Sequence, residues 1–354
     1  VTATLGDFLD FANGRSLPAR AAGGPVRVYG ANGVIGRAAR PNAAGPVIVL
    51  GRVGSYCGSL RYCDSDVWVT DNALACRAKD PRETRYWYYA LHACGLGGHR
   101  AGSGQPLLNQ RILRDVAVCA VDAAERRRIA EVLGALDDKI AANGRVIATA
   151  EGLMAALAES VSQYTPLSSL AGRWTGLLLP RQFDAVVAHF SLPAFDAGAQ
   201  PRIVAAASVK SAKFALPGPC VLFAKLNPRI PRVWNVVGLP SQMAVASTEF
   251  VVLSPIGVDT SALWAALRQP EVTGTLRRRV AGTSGSHQRI RPRDLLELRV
   301  RDVRRLKPAA ARTITGLGAL CHARREECTR LAAFRDALLP LLMSGTLRVG
   351  AGLG

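Results

Sequence analysis

No Cys-x-x-Cys pair occurs among the eight cysteines, and the five histidines lie far apart. That argues against a zinc site, and most of the cysteines sit in apolar runs as expected for reduced core residues. No apolar run reaches the length of a membrane span, and no charged segment followed by a hydrophobic stretch opens the chain. A soluble, intracellular and therefore cytoplasmic protein is expected. No Walker A Gly-Lys-Ser/Thr occurs, so no ATPase is indicated. An adenine methyltransferase needs an Asn/Asp-Pro-Pro-aromatic tetrad to grip a flipped base. The nearest stretch is Asn227-Pro228-Arg229-Ile230, without the second proline and the aromatic. Asp64 and Asp66 lack the Glu-x-Lys that would complete a nuclease set, and no Ser/His/Asp arrangement stands out.

What is present is basic charge and repetition. Lys and Arg total 45 against 26 acids, a formal charge of +19 in 354 residues that are 49% hydrophobic. A folded protein that basic meets a polyanion, with nucleic acid favoured over an acidic protein partner. AGSGQPLLNQRILRD (101–115) has a later echo in AGTSGSHQRIRPRDLLELRV (281–300), and VLGAL (132–136) in GLGAL (316–320). Residues 46–51 correspond to 219–224, and 71–76 to 248–253, each pair reading as a strand. Residues 85–94 are aromatic-rich and fit a helix, with a strand as the alternative. Residues 261–267 fit a short helix, and 295–300 a closing strand.

After each mixed segment comes a helical one. Ile129, Leu133, Leu136, Ile140, Asn143, Ile147, Ala150, Met154, Leu157 and Val161 step by alternating fours and threes. That is a coiled-coil seam, on which a buried Asn143 would set register; a long helix packed on its own domain is the plainer alternative. Asp122 with Glu125 marks the amino-terminal cap. About 40 residues give a rod of roughly 60 Å. Carried over from VLGAL to GLGAL, the second seam is Leu317, Leu320, Arg324, Glu327, Leu331, Phe334, Leu338 and Leu341. The fold expected is α+β: two similar mixed α/β domains, each followed by a long helix, the helices pairing as an antiparallel coiled coil. The boundaries are 1–121, 122–161, 162–305 and 306–345, with a tail at 346–354.

VYGANGVIG (28–36), GRVGS (51–55), TDNAL (70–74), GSGQPLLN (102–109), HFSLPAFD (189–196), KLNPRIPRVW (225–234), STEFVVL (247–253), RRIAEVLGALDDKIAAN (127–143) and LLPLLMSGTLRV (338–349) run in this order. The combination resembles the specificity (S) subunit of Type I restriction-modification systems over nearly the whole chain. The resemblance implies a non-catalytic subunit with two target recognition domains, each reading half of a split DNA sequence. It implies helices that act as spacer and as docking surface for two methyltransferase (M) subunits, and leaves open a restriction (R) subunit joining that core. It places no cofactor in this chain; S-adenosylmethionine would sit on the M subunits. The sequence departs from its own repeat where Gly285-Ser286-His287 stands for Gln105-Pro106-Leu107.

The candidate DNA contacts are long polar side chains on loops. Arg52 and Lys225 each follow a buried strand, from which a cation can be aimed at phosphate or a guanine edge; a solvated surface charge is the alternative. Gln105 and Asn109 can pair with adenine or cap a local turn. Gln110-Arg111 and Gln288-Arg289 recur, as phosphate contacts or as structural ion pairs. Arg229 and Arg232 flank Pro231, which stiffens their loop. Asn72, Gln242 and Glu249 complete the set; Glu249 can accept from cytosine or pair with an Arg. Trp68, Trp87, Trp234 and Trp264 read as core. Two other classes stay open: a single-chain DNA methyltransferase or nuclease with diverged motifs, and a scaffold whose charge serves an acidic partner.

Overall fold

Val-Ile-Val-Leu-Gly at 47–51 and Cys-Val-Leu-Phe-Ala at 220–224 have no polar residue to turn outward, so each must be covered on both faces. Both become fully buried strands inside a four-stranded antiparallel sheet. The computed structural model describes residues 3–16, 24–99, 107–119, 121–227, 230, 232–280 and 289–350. They form an α+β chain of two compact units, 1–138 with 331–354, and 139–330.

In the first unit the elements run β1 (Ala3–Thr4), α1 (Leu5–Phe8), β2 (Leu9–Asn13), β3 (Val26–Gly30), β4 (Gly33–Ala38), β5 (Val47–Gly51), β6 (Leu60–Cys63), β7 (Trp68–Val69), β8 (Ala73–Ala78), α2 (Thr84–Ala93), α3 (Gln110–Arg114), β9 (Ala117–Val118) and the long α4 (Ala123–Glu159). One sheet is ordered β2-β8-β5-β6, a second β4-β3-β7, and β1 pairs with β9. The aromatic-rich stretch at 85–94 is thus helical as far as Ala93. Burying each large side chain of the core, among them Leu9, Ile48, Leu74 and Trp87, contributes about 1.5–3 kcal/mol.

The second unit runs β10 (Tyr164–Pro166), β11 (Ala171–Trp174), β12 (Leu177–Leu178), β13 (Val186–Phe190), α5 (Leu192–Asp196), β14 (Arg202–Ala205), β15 (Lys213–Ala215), β16 (Cys220–Ala224), β17 (Val233–Val236), β18 (Met243–Ser247), β19 (Phe250–Pro255), α6 (Thr260–Leu267), α7 (Pro270–Val280), α8 (Pro292–Leu296), β20 (Arg299–Arg301) and α9 (Pro308–Met343). Its sheet β11-β19-β16-β17 repeats β2-β8-β5-β6, and β10 pairs with β20 as β1 does with β9. The closing strand is shorter than residues 295–300 suggested. Pro292 at the first helical position and Asp294 in the first turn draw 292–296 into α8.

Each head lies against the long helix that follows it, and a glycine makes the approach possible. A Cβ on Gly134 of α4 would stand 2.8 Å from the Arg85 guanidinium of α2. Arg85 donates to the Gly134 carbonyl at 2.9 Å and to both oxygens of Asp138. A Cβ on Gly318 of α9 would stand 2.0 Å from Ser261 Oγ of α6. These are the glycines of VLGAL and GLGAL. Asp122 caps α4 by accepting from Glu125 N at 2.9 Å, and Arg126 forms a buried pair with Glu83 at 2.8 Å.

Within the second unit Cys321 Sγ approaches the Ile147 carbonyl, and Cys328 Sγ that of Ile140, so α9 descends as α4 rises. Arg325 pairs there with Glu151. In the first unit Arg335 pairs with Asp137, in the same sense. Along the first seam Ile129 and Leu133 are fully buried, Asn143 is 2% exposed, and Leu136, Ile140 and Ile147 are half-buried. The second seam needs correction. Phe334 is 57% exposed and Leu341 43%, while Leu317, Leu320, Leu331 and Leu338 are half-buried. The inward row is Ile314, Gly318, Cys321, Arg325, Cys328, Ala332, Arg335, Leu339 and Leu342, itself a 4,3 alternation. One residue of phase turns a helix face by about 100°, enough to put Phe334 outside.

Gly318→Ala is expected to destabilise the chain by about 1–3 kcal/mol through overpacking, despite the roughly 1 kcal/mol that Ala gains over Gly in a helix. Adding Ser261→Gly should recover most of the loss. At Gly144 and Gly152 a Cβ meets nothing within 4 Å, so Ala there should stabilise by up to about 1 kcal/mol. Urea unfolding of the four variants measures each difference.

Candidate nucleic-acid interface

The carboxyl ends of β5 and β16 carry the same backbone construction. Arg52 N donates to the Asn72 carbonyl at 3.1 Å, and its own carbonyl accepts from Leu108 N at 3.0 Å. Lys225 N donates to the Glu249 carbonyl at 2.8 Å, and its carbonyl accepts from Ile290 N at 3.0 Å. Single bridges, Val53 with Leu107 and Leu226 with Arg289, continue each junction by one residue. Two residues past each cation the chain turns left-handed, at Gly54 (φ 68°) and Asn227 (φ 51°). Each of these residues accepts from the third residue onward, Cys57 N at 3.0 Å and Ile230 N at 2.9 Å. Glycine adopts this conformation without strain, and Asn is among the few other residues that do. Each head therefore places one cation at a point where three segments of chain converge and are hydrogen-bonded together.

On these shared frames the side chains differ. Arg52 is half-buried; its Nη1 donates to Asn13 Oδ1 at 3.3 Å, and its Nε is buried without a partner among the described residues. Asn72 is exposed beside it. Lys225 is half-buried, and Arg289 forms a bidentate pair with Glu249, both bonds at 3.1 Å. The Glu249 carboxylate shifts the Arg289 guanidinium pKa upward, so the charge is fixed at any working pH. Glu249 is thus paired with an Arg. Asn109 caps α3, its side chain accepting from Ile112 N at 2.9 Å. Arg232 is tied to Asp196 by two bonds of 2.6 and 3.1 Å. Arg111 is exposed and Gln242 half-buried. Gln105, Arg229 and Gln288 lie outside the described residues, as do 285–287.

The apparent repeat of Gln110-Arg111 in Gln288-Arg289 is out of register. Gln110 opens α3, whereas Arg289 lies in the bridge ahead of α8, opposite Leu226, where the first head has Leu107. Arg111 and Arg289 are therefore not equivalent positions. Asn13, Tyr56 and Ile230 escaped notice in the sequence. Asn13 ends β2, far along the chain from Arg52, and only the pairing of β2 with β8 brings the two together. Trp87, Trp234 and Trp264 are buried, whereas Trp68 is half-buried and donates to the Arg15 carbonyl. Among the described residues no cluster of three His, Cys, Asp or Glu side chains could hold a metal, and no helix is long and apolar enough to cross a membrane.

No family model and no curated protein matches this chain. Among solved structures it is similar to a Type-I restriction-modification system S subunit from M. genitalium, with a TM-score of 0.62 at 15% identity, covering 97% of this chain and 96% of that one. A chain from a study of assembly and conformational transition of the type I R-M system (TM-score 0.33, 14% identity, 96% and 98% covered) and the HsdS subunit from Thermoanaerobacter tengcongensis (TM-score 0.30, 13%, 96% and 97%) also align. The first of these shares its fold with the chain.

If the frame is built as described, Gly54→Ala costs about 1–2 kcal/mol, because the left-handed φ penalises a Cβ even where nothing obstructs it. Asn227→Gly should leave stability within a few tenths of a kcal/mol. Asn109→Ala should cost about 1 kcal/mol through the lost cap. Thermal unfolding of the three variants tests this ranking.

Proposed function

We propose that this chain is the DNA sequence-recognition (specificity) subunit of a Type I restriction-modification methyltransferase. The observation that carries the reading is the duplicated frame at the ends of β5 and β16: one backbone, two different sets of polar side chains, in a chain of charge +19. Two readers with the same scaffold and different contacts suit a target of two unlike halves. The shared fold of a Type I S subunit points the same way.

In this reading the two heads are target recognition domains and the long helices, paired as an antiparallel coiled coil, are the spacer and the docking surface for two M subunits. Those subunits would bring S-adenosylmethionine and the chemistry. A restriction subunit joins where the system encodes one. The chain itself catalyses nothing and works on double-stranded DNA in the cytoplasm. Arg52 and Lys225 supply the central contacts, with Asn72, Gln105, Asn109 and Arg111 in the first head. Arg229, Arg232, Gln242, Glu249, Gln288 and Arg289 serve the second. Lys and Arg differ in what they offer: a planar fork that fits guanine bidentately against a compact point charge.

Base-modification sequencing of the host with and without this gene should reveal one split motif that depends on it. Four residues added to each long helix lengthen it by about 6 Å, close to two base pairs at roughly 3.4 Å, so the spacer should grow while both half-sites persist. An unaltered spacer would refute the ruler. Tight S-adenosylmethionine binding by the isolated chain would favour the single-chain enzyme instead. In the complex with its M partner, Arg52→Ala and Lys225→Ala should each weaken binding to the split duplex. A salt slope reduced by about 1 marks a phosphate contact, and relaxed preference at one base marks a base contact.

A further inference from the structure

The loop that follows each cation ends in a large apolar side chain that faces outward. Tyr56 is 50% exposed in the first head; Ile230, at 66%, is the most exposed large apolar side chain among the described residues. They come four and five residues after Arg52 and Lys225. Hydrogen bonds hold the described residues beside each of these side chains. Around Tyr56, Cys57 N bonds to the Gly54 carbonyl, Gly58 N to that of Gly51 at 2.7 Å, and Ser59 N to that of Tyr56 at 3.0 Å. Ser59 Oγ donates to the Ala31 carbonyl at 2.5 Å. Ile230 is bonded back to Asn227, and Arg232, two residues on, is clamped by Asp196. The Tyr56 hydroxyl has no partner among the described residues. The two side chains occupy adjacent, not identical, positions of the frame: Cys57, the counterpart of Ile230, is 2% exposed. Val34 and Ile35 are as exposed, on the edge strand β4, and Ile203 is 51% exposed on its counterpart β14, but neither strand follows Arg52 or Lys225 in the chain.

An exposed apolar side chain held beside a cation is poorly matched to water, and phosphate offers that side chain nothing. The features of a duplex that fit it are the thymine 5-methyl groups in the major groove. We infer that Tyr56 and Ile230 are specificity-determining residues, each in apolar contact with a thymine methyl of its own half-site next to the base or phosphate met by Arg52 or Lys225. This rests on the DNA-recognition reading above and adds to it the identity of a base in each half.

The test uses the full chain in complex with its methyltransferase partner and a duplex carrying the motif found by modification sequencing. Thymines are replaced one at a time by uracil, which removes the methyl and keeps the pairing. In each half one replacement should weaken wild-type binding about three- to five-fold, the value of one buried methyl. The replacement in one half should have no effect on Ile230→Ala, and that in the other none on Tyr56→Ala. Each variant should also lose discrimination of T at that position in the modified motif. The inference is overturned if no uracil substitution matters, or if both variants keep wild-type affinity and motif while Arg52→Ala and Lys225→Ala still weaken binding. It is equally overturned if Ile230→Ala releases the methyltransferase subunit without changing the motif. Ile230 also borders a cavity of about 500 Å³ lined by Arg232, Trp234, Arg268 and Arg325, where a protein partner could seat instead. Wild-type complex that binds no split site at all defeats the underlying reading, not this addition to it.

Discussion

Everything in each unit hangs on a helix-to-helix contact too close for a side chain. Gly134 lets the Arg85 guanidinium lie on α4, and Gly318 lets Ser261 lie on α9. In each case the residue that comes close is the second of the head's own helix, α2 or α6. The head is thereby seated on the helix that follows it. Around that contact the polar groups are satisfied locally: Arg85 by Asp138 and the Gly134 carbonyl, Ser261 by Asn235 Nδ2 at 3.0 Å. A Cβ at Gly318 would push against Ser261 Oγ and Cβ of α6, and one at Gly134 would displace the Arg85 guanidinium from its bonds to α4.

The two frames show how one backbone serves two readouts. Their hydrogen bonds agree within a few tenths of an ångström, and the left-handed residue falls at the same place in both. What varies is confined to side chains: an Arg beside two Asn in one head, a Lys beside a Glu–Arg pair in the other. Rigid scaffolds carrying variable loops are the usual place for recognition. Here the rigidity comes from main-chain bonds, which leave the side chains open to change without loss of the turn.

Much of this was legible in the residues. The apolar runs at 47–50 and 220–224 read as paired strands because nothing polar interrupts them, and α4 because its seam is aliphatic nearly throughout. The seam of α9 was misread by one residue because Gly318, Arg325 and Arg335 stand on it. Each is compensated by something no local pattern carries: Ser261 of another helix, Glu151 and Asp137 of α4. Hydrophobic periodicity cannot find a polar row whose partners lie 57, 174 and 198 residues away. The same limit hid the frame. Asn72, Leu108 and Asn13 meet Arg52 only through sheet pairing and long-range main-chain bonds, while the shared Gln-Arg dipeptide suggested a register that the helix starts contradict.

The first unit is assembled from both ends of the chain. Leu342 belongs to its apolar core, and Val349 N donates to Glu125 at 2.8 Å, whereas the second unit is one uninterrupted stretch. Domains fold as units, in order of emergence during synthesis. The half translated first must therefore wait, its hydrophobic floor open, until residues 338–349 have left the ribosome, and the half translated second is complete before it.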